Sequence, residues 1–127
     1  MDRNRPEEKP AQSYSDIYET ECPVLYAFGI IGQKWRIPVM WYLYQKRRAR
    51  YSDLKRSLPG ITNMMLTKSL RELEARGLVG RVQYEAVPPR VEYFLTARGE
   101  SLIPALDELD RWGAEQMRID GARRSAD

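Results

Sequence analysis

Pro59 and Gly60 separate a pair of short helical patterns, and Pro88-Pro89 in turn separates the strand patterns that follow. Proline removes a backbone N–H and glycine opens conformations that other residues avoid, so both dipeptides mark turns rather than element interiors. The stretch YSDLKRSLPGITNMMLTKSLRELEARGLVGRVQYEAVPPRVEYFL, from Tyr51 to Leu95, therefore divides into helix, turn, helix, strand, tip and strand. That order is a helix-turn-helix carrying a β-hairpin wing, and the most frequent task of such a unit is reading duplex DNA.

Local signals set the bounds. Ser52 is a plausible N-cap for a helix through Leu58, with Leu54 and Leu58 on its buried side. Thr62 caps the next helix, 63–76, and Gly77 occupies the position that commonly turns left-handed after a helix. Leu78–Tyr84 and Val91–Thr96 read as strands, the second by alternation of Val91, Tyr93 and Leu95 with Glu92, Phe94 and Thr96, so the wing covers 78–96. Upstream, an apolar helix runs from Pro23 to Ile31 and stops at Gly32. A second helix, Trp35 to Tyr44, either begins near Trp35 or kinks at Pro38. The basic run Gln45 to Arg50 connects it to the helix-turn-helix. Downstream, Thr96 caps a long helix whose stripe is Leu102, Leu106, Leu109, Trp112/Gly113 and Met117. Residues 1–14 read as a disordered arm and 118–127 as a polar tail, which leaves 15–117 as the folded domain. The fold class is mainly α with a small β-hairpin wing.

The 127 residues suffice for one modest core. No run of about 18 apolar residues exists, and the N-terminus has no apolar signal region, so neither a membrane span nor a secretory leader is expected. A single cysteine, Cys22, fits a reducing cytoplasm. With no histidine, zinc sites and His-based triads are out of reach. There is no glycine-rich phosphate loop or metal cluster either, so an enzyme is disfavoured and neither cofactor nor metal is expected.

Charge gains meaning when mapped along the chain. Residues 34–98 hold fourteen Lys/Arg against five Asp/Glu, a local excess of +9 in a chain of net +3. A basic middle between acidic ends suggests a surface for a polyanion. On a projection at about 100° per residue, Met65, Leu66, Ser69, Leu70 and Leu73 share the core side of helix 63–76. Met64, Thr67, Lys68, Arg71 and Ala75 lie opposite. A recognition helix enters the major groove by its N-terminal end, where Arg71 can fork to guanine, Asn63 can pair with adenine, and Thr67 can offer a methyl or a hydroxyl. Thr62, Met64 and Lys68 adjoin them. Ser52, Lys55 and Arg56 suit backbone contacts that set the register, and Arg90 at the wing tip suits the minor groove or its phosphates. One small winged domain cannot bury two apolar terminal helices. Val24, Leu25 and Phe28 with Leu102, Leu106, Leu109 and Trp112 are therefore expected in a homodimer interface.

The segments CPVLYAFGIIGQKW, LPGIT–MLT–LRELE–GLV, VPPRVEY-LT and LDELDRWG resemble the HxlR-type bacterial transcriptional regulators, winged-helix relatives of the MarR group, over roughly Cys22 to Gly113. The resemblance implies a homodimer built from N- and C-terminal helices that binds operator DNA and controls transcription initiation. It equates Lys34 and Trp35 with the family's GGKW motif, which adds Lys34 to the candidate DNA contacts, and makes Asn63–Arg71 the recognition helix. The chain departs from the pattern in three places. Met64 stands where a lysine is frequent, Phe94 replaces a small or polar wing residue, and Arg-Ile-Pro-Val-Met-Trp-Tyr replaces an aliphatic run.

Cys22 matches a cysteine that serves as a redox or electrophile sensor in some members. A helix start favours an anionic sulfur, whereas Glu19 and Glu21 oppose it, and a single cysteine also serves as apolar filler. Two functions remain open: a sequence-specific dimeric regulator on an inverted-repeat operator, with an effector of unknown identity, and a winged-helix adaptor that binds protein instead.

Overall fold

The computed structural model describes residues 21–121, so the arm expected at 1–14 and the end of the expected tail lie outside them. The chain divides into two compact units, one through Lys34 and one from Trp35 onward. The first contributes α1, Pro23–Ile31, with Pro23 in its first turn and Gly32 at its C-terminal end. No residue of α1 is buried, and Val24, Leu25, Tyr26 and Phe28 are all exposed.

The second unit holds α2 (Arg36–Lys46), α3 (Tyr51–Ser57), α4 (Asn63–Ala75), β1 (Val79–Tyr84), β2 (Arg90–Leu95), α5 (Ala97–Glu100) and α6 (Ile103–Asp120). Pro38 is the third residue of α2, inside the first turn, where its missing N–H has no intrahelical partner; the helix starts there and does not need to kink. α2 ends at Arg47, which has φ +73° and closes a tight turn in which the Arg48 N–H reaches the Lys46 carbonyl at 2.8 Å.

The turn between α3 and α4 uses Gly60 at φ +88°, and Gly77 at φ +76° follows α4. Thr62 caps α4, its Oγ1 accepting from the Met65 N–H at 3.1 Å. Ser52 is not a cap. It lies exposed inside α3, and the N-terminal group that is satisfied is the Arg50 N–H, by Asp53 Oδ2 at 3.1 Å. A carboxylate three residues into a helix reaches back more readily than a hydroxyl already wound into the first turn.

β1 and β2 pair antiparallel, Val79 opposite Leu95 through Tyr84 opposite Arg90. The long helix expected from Thr96 is two helices. Thr96 caps α5 by accepting from the Gly99 N–H, and Pro104 opens α6, because a proline there forbids a continuous helix from 97. α6 then runs to Asp120, three residues into the stretch read as tail. Val39, Met40 and Leu43 of α2, Leu54 of α3, Leu66, Leu70 and Leu73 of α4, Val79 and Leu95 of the wing, and Ile103 and Leu106 of α6 form the core. Among the described residues no helix is long and apolar enough to cross a membrane.

Candidate nucleic-acid interface

Thirteen residues of α4 split into two faces. Leu66, Ser69, Leu70 and Leu73 are buried, and the helix is seated by them. Met65, read from its angle as core, is 42% exposed instead, in the first turn of the helix. Asn63, Met64, Lys68 and Arg71 face solvent, and Thr67 is half-buried beside them. Met64 is 81% exposed, so an uncharged thioether stands outward on the leading turn. Among the described residues neither Lys68 nor Arg71 is engaged in an ion pair or hydrogen bond.

One half-buried ion pair ties α4 to α2. Arg36 of α2, 8% exposed, donates from Nη2 to Glu72 Oε1 at 2.6 Å. At the N-terminal end of α4, Tyr51 of α3 brings its hydroxyl to 3.0 Å from the Asn63 carbonyl oxygen, 3.2 Å from Asn63 Oδ1 and 3.0 Å from Thr67 Oγ1.

The wing is built differently. Arg90 is exposed, yet it starts β2 rather than standing at the tip, which is Glu85-Ala86-Val87-Pro88-Pro89, with a cis Val87–Pro88 bond and a fully exposed Val87. Its guanidinium lies 4.7 Å from the centre of the Tyr84 ring, and its Nε is 3.7 Å from Glu92 Oε2. Phe94 is half-buried rather than fully exposed. Its ring covers Gly80, its cross-strand partner, where a Cβ would come within 2.6 Å of the ring, and the Arg48 guanidinium sits 5.2 Å from the ring centre. Arg48 also donates to the Tyr84 hydroxyl at 2.9 Å.

The sequence reading passed over three residues of this region: Tyr51, Arg48 and Arg81. Arg81 pairs with Tyr93 across the hairpin and places its Nε 3.6 Å from Glu74 of α4. Tyr51 and Arg81, with Thr67, Leu70, Arg71 and Tyr93, line a cleft of about 390 Å³ between α4 and the wing. The period-2 pattern of β1 was the available signal for Arg81. Nothing local announces Tyr51 or Arg48, whose partners lie 12 to 46 residues away.

Of the remaining candidates, Ser52 and Arg56 are exposed on α3, Arg56 paired with Asp53 at 2.7 Å, and Lys55 is half-buried. The Thr62 hydroxyl is committed to its cap. Lys34 belongs to the N-terminal unit and is exposed there. Leu106, assigned to a dimer interface, is 4% exposed and lies in the core of its own chain, since α6 turns Ile103 and Leu106 inward. Leu102 is half-buried, whereas Leu109 (51%) and Trp112 (64%) are exposed, joined by Ile119 (60%).

A buried-backed helix, a preceding short helix across a Gly turn, and a hairpin behind it define a winged helix-turn-helix. Residues 30–120 match the HxlR-like helix-turn-helix family, and the chain belongs to that family. The helix-turn-helix-type transcriptional regulator YkvN of Bacillus subtilis strain 168 is 50% identical over 95 residues, 72% of this chain and 80% of the relative. A MarR-family transcriptional regulator from Porphyromonas gingivalis W83 superposes with a TM-score of 0.71 at 38% identity, covering 85% of this chain and 98% of that one. The redox regulator HypR in its oxidized form gives 0.69 at 38% identity, covering 82% and 100%. The chain is a transcriptional regulator of helix-turn-helix type.

Proposed function

We propose that the protein binds operator DNA sequence-specifically as a homodimer, with α4 in the major groove of each half of an inverted repeat. The observation that carries this is the bare face of α4, where Asn63, Lys68 and Arg71 stand outward on a helix held by a leucine face behind and by Arg36–Glu72. Lys68 and Arg71 need not give up protein partners to meet bases or phosphates. Ser52, Lys55 and Arg56 on α3, and Arg90 and Arg81 on the wing, supply the flanking polar and positive groups.

Dimerisation rests on apolar surface. α1 exposes Val24, Leu25 and Phe28, and α6 exposes Leu109, Trp112 and Ile119. Isolated exposed apolar residues are ordinary, but two helices with such faces in one short chain favour a self-complementary interface. Cys22, exposed at the start of α1, sits at that end of the chain, and the likeness to HypR supports a redox response through it. One thiol per chain restricts disulfide formation to a second subunit or a small thiol.

Selection of bound sequences from a random duplex pool tests the reading. The expected result is an inverted repeat with half-site centres about 34 Å apart and binding that weakens with salt. Enrichment of no sequence, with no salt-dependent binding to random duplex, would favour the protein-binding adaptor instead. Oxidant should weaken operator binding of the native protein about tenfold and leave Cys22→Ser unchanged. Equal binding in all cases would reduce Cys22 to packing.

A further inference from the structure

Three oxygen atoms surround the Tyr51 hydroxyl at 3.0 to 3.2 Å, and two of them belong to Asn63. A phenol has one hydrogen and a pair of acceptor sites. The Asn63 carbonyl and Oδ1 are both acceptors, and two acceptors facing a hydroxyl oxygen at this range repel it unless its hydrogen lies between them. The Tyr51 hydrogen therefore points to Asn63. Thr67, the remaining neighbour, must then donate its hydroxyl hydrogen to Tyr51. The assignment follows from the donor count together with the orientation of the Asn63 amide, whose Oδ1 is turned to Tyr51.

We propose that Tyr51 is a specificity-determining positioning residue, which pre-sets the hydrogen-bonding sense in which Asn63 and Thr67 meet the base pairs. The inference rests on the DNA-reading role proposed for α4. With Oδ1 turned in toward Tyr51, Asn63 presents its amide NH₂ outward. It then selects an acceptor on the major-groove edge, such as guanine N7 and O6 or thymine O4, rather than pairing with adenine through both amide atoms. Thr67, with its hydrogen spent on Tyr51, presents an oxygen lone pair and its methyl. Tyr51 itself is half-buried at the first position of α3 and touches the first two turns of α4, so it acts on the readers from behind and does not need to reach a base.

Tyr51→Phe removes the hydroxyl and keeps the ring. Sequence selection with the full-length native protein and with Tyr51→Phe should show one base position per half-site losing its preference by roughly threefold to tenfold, the equivalent of one net hydrogen bond, with affinity for random duplex unchanged. In an Asn63→Ala background the same change should have no further effect on that position. In the DNA-free protein, the two Asn63 side-chain NH₂ resonances should be dispersed in the native chain and collapse toward the solvent-exposed value in Tyr51→Phe. An unchanged selection profile overturns the proposal, and so does an equal loss on operator and random duplex, which would mark Tyr51 as structural only. If neither protein selects any sequence, the specificity role falls with its premise. Resonances that still collapse would then locate the failure in the reading of DNA, and resonances that do not would locate it in the Tyr51 contact.

Discussion

The recognition helix and the wing both present arginine at the surface, but they hold it in opposite ways. On α4, Arg71 and Lys68 are unengaged among the described residues. On the wing every arginine is already committed: Arg90 to Tyr84 and Glu92, Arg81 to Glu74, and Arg48, which reaches over from the α2–α3 connection, to Tyr84, Glu92 and Phe94. A cation with no partner contributes its whole interaction to a new ligand, whereas a paired one contributes only the difference between old and new partners. On the proposed reading, the helix is therefore suited to discrimination, and the wing to weakly selective support.

Substitutions that unseat either element should have the largest effects. Gly99 lies under the foot of the wing, and a Cβ there would come within 2.2 Å of the Leu78 carbonyl oxygen. Backbone cannot yield as a side chain does, so Gly99→Ala should destabilise the fold by about 3 kcal/mol or more, read by urea unfolding. Leu66, fully buried, seats α4. Leu66→Ala should cost about 3 kcal/mol by the same measurement, while changes to the bare face of α4 should leave the midpoint almost unmoved.

The readers themselves come next. Arg71→Ala should lose about 1–3 kcal/mol at the selected operator and relax one base position. Arg90→Ala should lose less than about 1 kcal/mol, evenly across sequences, since Tyr84 and Glu92 compete for the same guanidinium. Titration of both variants against operator and scrambled duplex checks the contrast. If Arg90→Ala proves the more base-selective of the two, the division of labour between helix and wing is wrong.

Much of this architecture was legible in the sequence because its signals are local. Thr62 and Thr96 each precede a helix whose third residue they cap, Gly60 and Gly77 carry positive φ, and the leucines of α4 repeat with the helical period. The misreadings have physical causes of another kind. Ser52 lost to Asp53 because two capping geometries competed within three residues. Leu106 was placed on an interface because periodicity identifies an apolar face but not what covers it, and α6 divides its own between the core and solvent. Of the site, the exposed residues of α4 could be read from a helical projection. The Tyr51 contact could not, because it exists only once the turn folds α3 back on α4.

Ala49, in the short connection after α2, exchanges two backbone hydrogen bonds with Tyr93, accepting at 2.8 Å and donating at 3.1 Å. The residue after Ala49, Arg50, holds the N-cap position of α3, so the middle of β2 is stapled to the chain just ahead of the helix that positions Asn63. Wing and reading helix then behave as the two jaws of a caliper locked at one opening. On the proposed reading, a single base pair inserted within a half-site would move one jaw's target by about 3.4 Å along the duplex and rotate it away from the other. Half-site length should thus be as strictly inherited by this protein's operators as any base within them.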